Sequence, residues 1–236
     1  MRNLVFLHGW GMDSSCWAGL LERLSGNFRT HCADLPGHGR NPHAKDWVET
    51  LSGAHPFEVD LVGWSLGGQV ALEWAARFPE QVRSLVLVAT TPSFVKRQDW
   101  DAAMQEGVFM EFLGNFQENR PETMKRFLHL QALGGNSRVF RMLQKIAPQQ
   151  LNPEGLEHGL DLLGRYDLRE AAKGLAQEAL VLHGTCDSLI PFAAGKWLCA
   201  NMKNARLVGI EGAAHAPHVS DPQVCANALQ EFYDGR

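Results

Sequence analysis

Gly63-Trp64-Ser65-Leu66-Gly67-Gly68 joins an apolar run, Val59–Trp64, to a stretch with Val70, Ala71, Trp74 and Ala75 at helical spacing. A Gly-x-Ser-x-Gly sequence between a strand and a helix is a nucleophile elbow: small residues allow a sharp turn that lifts the serine hydroxyl to the carboxyl edge of a sheet. The helix that follows favours negative charge at its start. A serine hydroxyl needs a base before it becomes a useful nucleophile. The chain has ten histidines. His215, in Gly212-Ala213-Ala214-His215-Ala216-Pro217 just beyond the last apolar run, is the expected base, and His218 is its rival. Asp187 follows the preceding apolar run and is the expected orienting carboxylate, with Glu211 and Asp221 in reserve. The order Ser65, Asp187, His215 is one in which such triads occur. Acyl transfer also needs N–H groups aimed at an oxyanion. Leu66, next to the serine, supplies one, and Trp10 in His8-Gly9-Trp10-Gly11 supplies the other. The expected chemistry is hydrolysis of a carboxylic ester through an acyl-serine, with no cofactor and no metal.

These residues need a scaffold that brings loop ends together. Short apolar runs at Leu4–His8, Val59–Trp64 and Val82–Ala89, with a weaker strand candidate at Arg29–Asp34, alternate with helical patterns at Ser15–Leu24, Asp46–Gly53 and Gly67–Phe78. Strands apolar on both faces, separated by helices, predict a mostly parallel sheet flanked by helices. From about residue 91 to 168 strands give way to three or four short helices punctuated by Gly114, Gly134-Gly135 and Pro148. Strands return at Ala179–His183 and Ala205–Ile210, with helices at Phe192–Asn201 and Pro222–Tyr233. The expectation is one α/β domain over residues 1–236, carrying an inserted helical lid at about 91–168.

Composition narrows the classes. Of 236 residues, 45% are hydrophobic and 20% charged, enough apolar mass for a large core. A net charge of −4 gives no basic excess for nucleic acid. No apolar run approaches the roughly 18 residues of a membrane span. The opening residues are too short a hydrophobic run for a signal peptide. Five widely spaced cysteines without Cys-x-x-Cys fit reduced thiols in a cytoplasmic protein, expected to be a monomer.

These motifs together resemble the α/β-hydrolase superfamily, of the kind with a helical lid. Within it the chain resembles the pimeloyl-[acyl-carrier protein] methyl ester esterase family of biotin biosynthesis. The resemblance rests on His8-Gly9-Trp10-Gly11-Met12, Asp34-Leu35-Pro36-Gly37-His38-Gly39, the elbow, Arg126-Phe127-Leu128-His129-Leu130-Gln131, Tyr166-Asp167-Leu168-Arg169 and Ala213–Pro217. It implies a substrate pocket lined by Trp10, Ser65, Leu66, His215 and Phe127, Leu128, His129, Leu130 and Gln131. It implies release of methanol from an acyl carrier protein bearing a pimeloyl methyl ester. Members of that family carry a strand or two before the His-Gly-Trp-Gly strand, so a trimmed sheet edge is expected here.

The lid sequence is charged unlike the rest. Residues 120–146 hold six basic residues against one acid, a net +5 in a chain of −4, which leaves −9 elsewhere. Arg138, Arg141 and Lys145 fall at i, i+3 and i+7, on one helix face. With Arg126 they are the expected docking patch for an acidic carrier protein; the alternative is a solvated face. Two other functions fit the same motifs: a broad-specificity short-chain carboxylesterase, and a non-catalytic homologue that keeps the pocket for ligand binding.

Overall fold

The computed structural model describes residues 1–25 and 28–234. Six strands, β1 (Arg2–Leu7), β2 (Phe28–Ala33), β3 (Val59–Trp64), β4 (Val82–Val88), β5 (Glu178–Gly184) and β6 (Asn204–Ile210), form a sheet in the order β2-β1-β3-β4-β5-β6. Every strand pair among the described residues is parallel. Successive side chains of a strand point to opposite faces. Leu4 and Phe6 of β1 therefore enter the core on one side of the sheet, while Val5 and Leu7 enter the core on the other. β3 is buried along its whole length, and the edge strands β2 and β6 are half exposed.

The helices are α1 (Ala18–Leu21), α2 (Trp47–Ala54), α3 (Leu66–Arg77), α4 (Glu106–Glu118), α5 (Arg120–Ala132), α6 (Arg138–Ile146), α7 (Pro153–Arg165), α8 (Arg169–Gly174), α9 (Phe192–Asn201), α10 (Pro217–Ser220) and α11 (Pro222–Asp234). α4 to α7 form the inserted helical region between β4 and β5. Local chemistry sets its boundaries. Asn119 accepts a hydrogen bond from the Glu122 N–H at 3.2 Å and caps α5, with Pro121 in its first turn. Asn152 caps α7 in the same way, with Pro153 at its start. Before α4, two isolated bridges, Val95 with Met104 and Arg97 with Trp100, interrupt the otherwise helical insertion.

The helix expected over Ser15–Leu24 is instead a 3-10 turn at Ser14–Trp17 followed by the single-turn α1. Asp13 caps that turn, its side chain accepting from the Ser15 N–H at 2.9 Å. Strand order reverses on either side of β1, which sends β2 one way and β3 the other. In such sheets ligands bind beyond the carboxyl ends of the strands where the order reverses. The His8–Gly11 loop after β1 and the Ser65 turn after β3 meet at that crevice.

Candidate active site

Ser65 has φ 54° and ψ −117°, a conformation that L residues rarely adopt. Packing holds it there. A Cβ on Gly63 would lie 2.6 Å from the Gly68 Cα, and a Cβ on Gly67 would run into the carbonyl oxygens of Leu7 and His8. Only glycine at these two positions lets the start of α3 press against both its own strand and the end of β1. The Ser65 N–H donates to the Val88 carbonyl at 3.0 Å, which fastens the turn to β4.

The Ser65 hydroxyl donates to His215 Nε2 at 2.9 Å, and His215 Nδ1 donates to Asp187 Oδ2 at 2.8 Å. All three side chains are buried. The other oxygen of Asp187 accepts from the N–H groups of Leu189 and Ile190, each at 2.9 Å. Burial alone would push the Asp187 carboxyl up; the facing His215 and His183 outweigh it and hold the group well below the usual carboxylate range. The His215 backbone is fixed too: its N–H donates to the Gln131 carbonyl at 3.2 Å, and the Trp64 indole N–H donates to its carbonyl at 2.8 Å.

Of the two rival histidines, only His215 reaches the serine. His218 is buried between the rings of Trp17 and Trp64, at centroid distances of 4.4 and 4.6 Å. Neither of its ring nitrogens has a hydrogen-bond partner, and burial lowers its pKa to about 3. Asp221 accepts instead from the Ser220 hydroxyl at 2.6 Å, and Glu211 is exposed. His183, at the end of β5, supports the acid from behind. Its Nε2 donates to the Ile190 carbonyl at 2.9 Å and lies 3.4 Å from Asp187 Oδ2, which steadies the aspartate loop. Gly195 of α9 makes room for its ring, since a Cβ there would sit 2.8 Å from His183 Nδ1.

Leu66 opens α3, where the first N–H groups have no intrahelical acceptor. The Trp10 loop is held by His8: Nδ1 donates to the Gly9 carbonyl at 2.8 Å and Nε2 accepts from the Leu35 N–H at 3.0 Å. Burial keeps this imidazole neutral, with its pKa lowered to about 4. The Trp10 indole N–H donates to the Leu156 carbonyl of α7 at 2.8 Å. Its ring packs edge-on against Phe112, Phe116 and Phe127.

The Phe127–Gln131 run divides across α5. Phe127 and Gln131 are buried on the inner side, and Leu130 packs beside Phe127. Leu128 faces the second core instead. His129 is exposed and stacks on Phe140 at 3.6 Å, outside the group that surrounds Trp10. Arg138, Arg141 and Lys145 are exposed on α6, whose Val139 and Leu143 are buried. Arg126 is exposed and pairs with Glu122 at 3.5 Å. Among the described residues no three His, Cys, Asp or Glu side chains are placed to hold a metal, and no helix is long and apolar enough to cross a membrane.

Residues 4–228 match the alpha/beta hydrolase family. A pimeloyl-[acyl-carrier protein] methyl ester esterase of Nitrosomonas europaea is 39% identical, over 96% of this chain and 95% of its own length. One from Chromobacterium violaceum is 38% identical, over 98% and 94%. Among solved structures, an esterase from Exiguobacterium antarcticum superposes with a TM-score of 0.88 at 20% identity, over 98% of this chain and 91% of that one. A bromoperoxidase from Bacillus anthracis gives the same score and identity, over 99% and 92%. At that identity these two structures speak for the fold alone.

Proposed function

We propose that this chain, which belongs to the alpha/beta hydrolase family and within it to the pimeloyl-[acyl-carrier protein] methyl ester esterases, hydrolyses the methyl ester of pimeloyl-[acyl-carrier protein] methyl ester. The observation that carries this reading is the continuous hydrogen-bond relay from Ser65 through His215 to Asp187. His215 Nε2 takes the Ser65 proton as Oγ bonds to the ester carbonyl carbon. The tetrahedral oxyanion is met by the N–H groups of Trp10 and Leu66. Collapse breaks the bond to the methoxy oxygen, and His215 returns the proton so that methanol leaves. A water, deprotonated by the same imidazole, then splits the acyl-serine to give the carrier-bound acid. Asp187 holds the His215 tautomer and stabilises the imidazolium; it stays ionised throughout.

The inserted helices act as a lid: with Ser65 and Leu66 buried beneath them, ester reaches the nucleophile when they part. Phe127, Leu130 and Gln131 give that lid an apolar wall with one polar group, suited to a medium-length chain. Arg138, Arg141 and Lys145, with Arg126, form the docking face for the acidic carrier. Support for the docking face comes from α6, on which Arg138, Arg141, Lys145 and Met142 are exposed. Arg120, by contrast, pairs with Glu157 at 3.0 Å and covers the Phe116 ring, so it is not part of the face.

The test is a rate comparison on pimeloyl methyl ester, free and carrier-bound. A higher kcat/KM for the carrier-bound ester, abolished by Ser65→Ala, is the expected result. Equal or faster turnover of short free esters would instead make this a broad-specificity carboxylesterase.

A further inference from the structure

A narrow apolar cavity lies inside the lid, walled by Phe94, Phe112, Phe127, Leu130, Leu163 and Phe109. It adjoins the Trp10 loop. Phe112 and Phe127 pack on the Trp10 ring at 5.7 and 4.9 Å. α7 rests directly on the same loop: a Cβ on Gly159 would lie 2.7 Å from Trp10 Cδ1 and 3.2 Å from Leu66 Cδ2. The free volume is about 10 Å³, room for about one water. A run of methylenes enters only if a wall moves. The leaving methyl group needs almost no space, so an apolar cavity here serves the acyl chain. A chain tethered to a carrier at its far end cannot stop in a blind cavity; it needs a second opening.

Two grooves run along the outside of the lid. One is lined by Lys96, Arg97, Gln98, Gln105 and Met110, the other by Gln117, Glu157, Asp161 and Arg165. Phe109 lines both grooves and the inner cavity, and it is itself buried at 5% exposure. Its sequence neighbours Val108 and Met110 are 54% and 58% exposed, an apolar rim at the outer mouth. The Phe109 ring sits over Gly164 of α7, where a Cβ would be 2.9 Å from its Cε1. Arg97 braces that seat, donating to the Gly164 carbonyl at 2.8 Å.

We propose that Phe109 is the door of the acyl tunnel. Turned aside, its ring joins the inner cavity to the groove of Lys96, Arg97, Gln98 and Gln105. The methylenes then lie against Phe112 and Phe127, and the tethered end of the chain emerges at the groove. This inference rests on the reading above that Ser65 is acylated by a tethered chain.

Two variants loosen the door to different degrees. Phe109→Ala removes it; Gly164→Ala, whose Cβ would lie 2.9 Å from Phe109 Cε1, pushes the ring off its seat, and keeps the test alive if the larger change fails to fold, because alanine is the better helix former. The readout is the ratio of kcat/KM for p-nitrophenyl decanoate to that for p-nitrophenyl acetate. The ratio is expected to rise about tenfold in Phe109→Ala and about threefold in Gly164→Ala, with KM for the carrier-bound ester falling in both. A purely structural role would move both esters together. An unchanged ratio in both variants, or carrier-bound turnover indifferent to both, overturns the door. Labelling of Ser65 by a phosphonate separates the two readings. Normal labelling with a flat ratio overturns only the door; no labelling in the unaltered protein overturns the acyl-serine beneath it.

Discussion

Ser65 occupies a strained backbone conformation, of a kind that costs of order 1–3 kcal/mol. The packing of Gly63 and Gly67 sustains it, and the outcome is a hydroxyl aimed at an imidazole rather than at its own helix. Ser65→Ala is expected to leave a folded protein and to lower kcat by about 10⁴-fold or more, because no other group forms the acyl intermediate. His215→Ala should cost about as much, since the two act as a unit. Asp187→Asn leaves His215 without the carboxylate that faces its imidazolium and should lower kcat by about 10⁴-fold at most. His218→Ala is expected to cost little in kcat, because no hydrogen bond joins His218 to the serine or the aspartate. Steady-state rates on one methyl ester check all four; a His218 variant as inactive as the His215 variant would overturn the choice of base.

At the scale of elements, the legible parts were those whose neighbours lie close in sequence or whose burial is two-sided. β3, β4 and β5 read as largely apolar runs because helices cover both faces, and α9 was predicted with the bounds the structure shows. β2 read weakly because it is an edge strand with polar side chains turned to solvent. The division into a 3-10 turn and the short α1 was not legible, since the apolar spacing of Trp17, Leu20 and Leu21 is the same for both. The serine, histidine and aspartate showed through their loop positions, but the support from His183, Trp64 and the Gln131 backbone did not, being contacts between distant segments. The same limit applies to α5: a five-residue run on a helix cannot face one way, so Phe127 turns inward while His129 turns out onto Phe140. Phe127→Ala is therefore expected to raise KM for medium-chain esters about tenfold more than for acetate esters. Matched KM measurements on the two series decide it, and an equal rise on both would remove Phe127 from the acyl wall.

Two properties belong to the whole molecule. The first is acid sensitivity. His8, His38 and His218 are buried neutral, with pKa values lowered to about 4, 3 and 3 from an ordinary 6.5, in each case chiefly by burial. The unfolded chain protonates them first. Their stabilising contribution is complete above about pH 6.5 and falls as pH drops toward 4, by up to about 1.4 kcal/mol per pH unit for each group. Asp187, with a depressed pKa, loses its contribution only at lower pH, so it does not enter this window. Urea midpoints at pH 7 and pH 5 should show the loss, and His218→Phe should shallow it by about a third, as one of three such groups. A midpoint flat across that range would mean these rings protonate without opening the fold. The second property is the separation of charge between the lid segment and the rest of the chain. Among the described residues, no carboxylate lies within ion-pair distance of Arg138, Arg141 or Lys145, and all three face solvent on one side of α6. An unpaired row of cations attracts an acidic partner over a Debye length of roughly 8 Å at physiological salt and more when salt is low. Such attraction acts mainly on the rate of encounter. Reversing Arg138 and Arg141 to Glu should raise KM for the carrier-bound ester about tenfold, leave a small free ester unaffected, and flatten the salt dependence of the carrier reaction. Steady-state rates on both substrates from low to high salt make the check. If free and carrier-bound esters respond alike, or if the unaltered protein shows no salt dependence with the carrier, the row on α6 serves solvation and the carrier docks on another face.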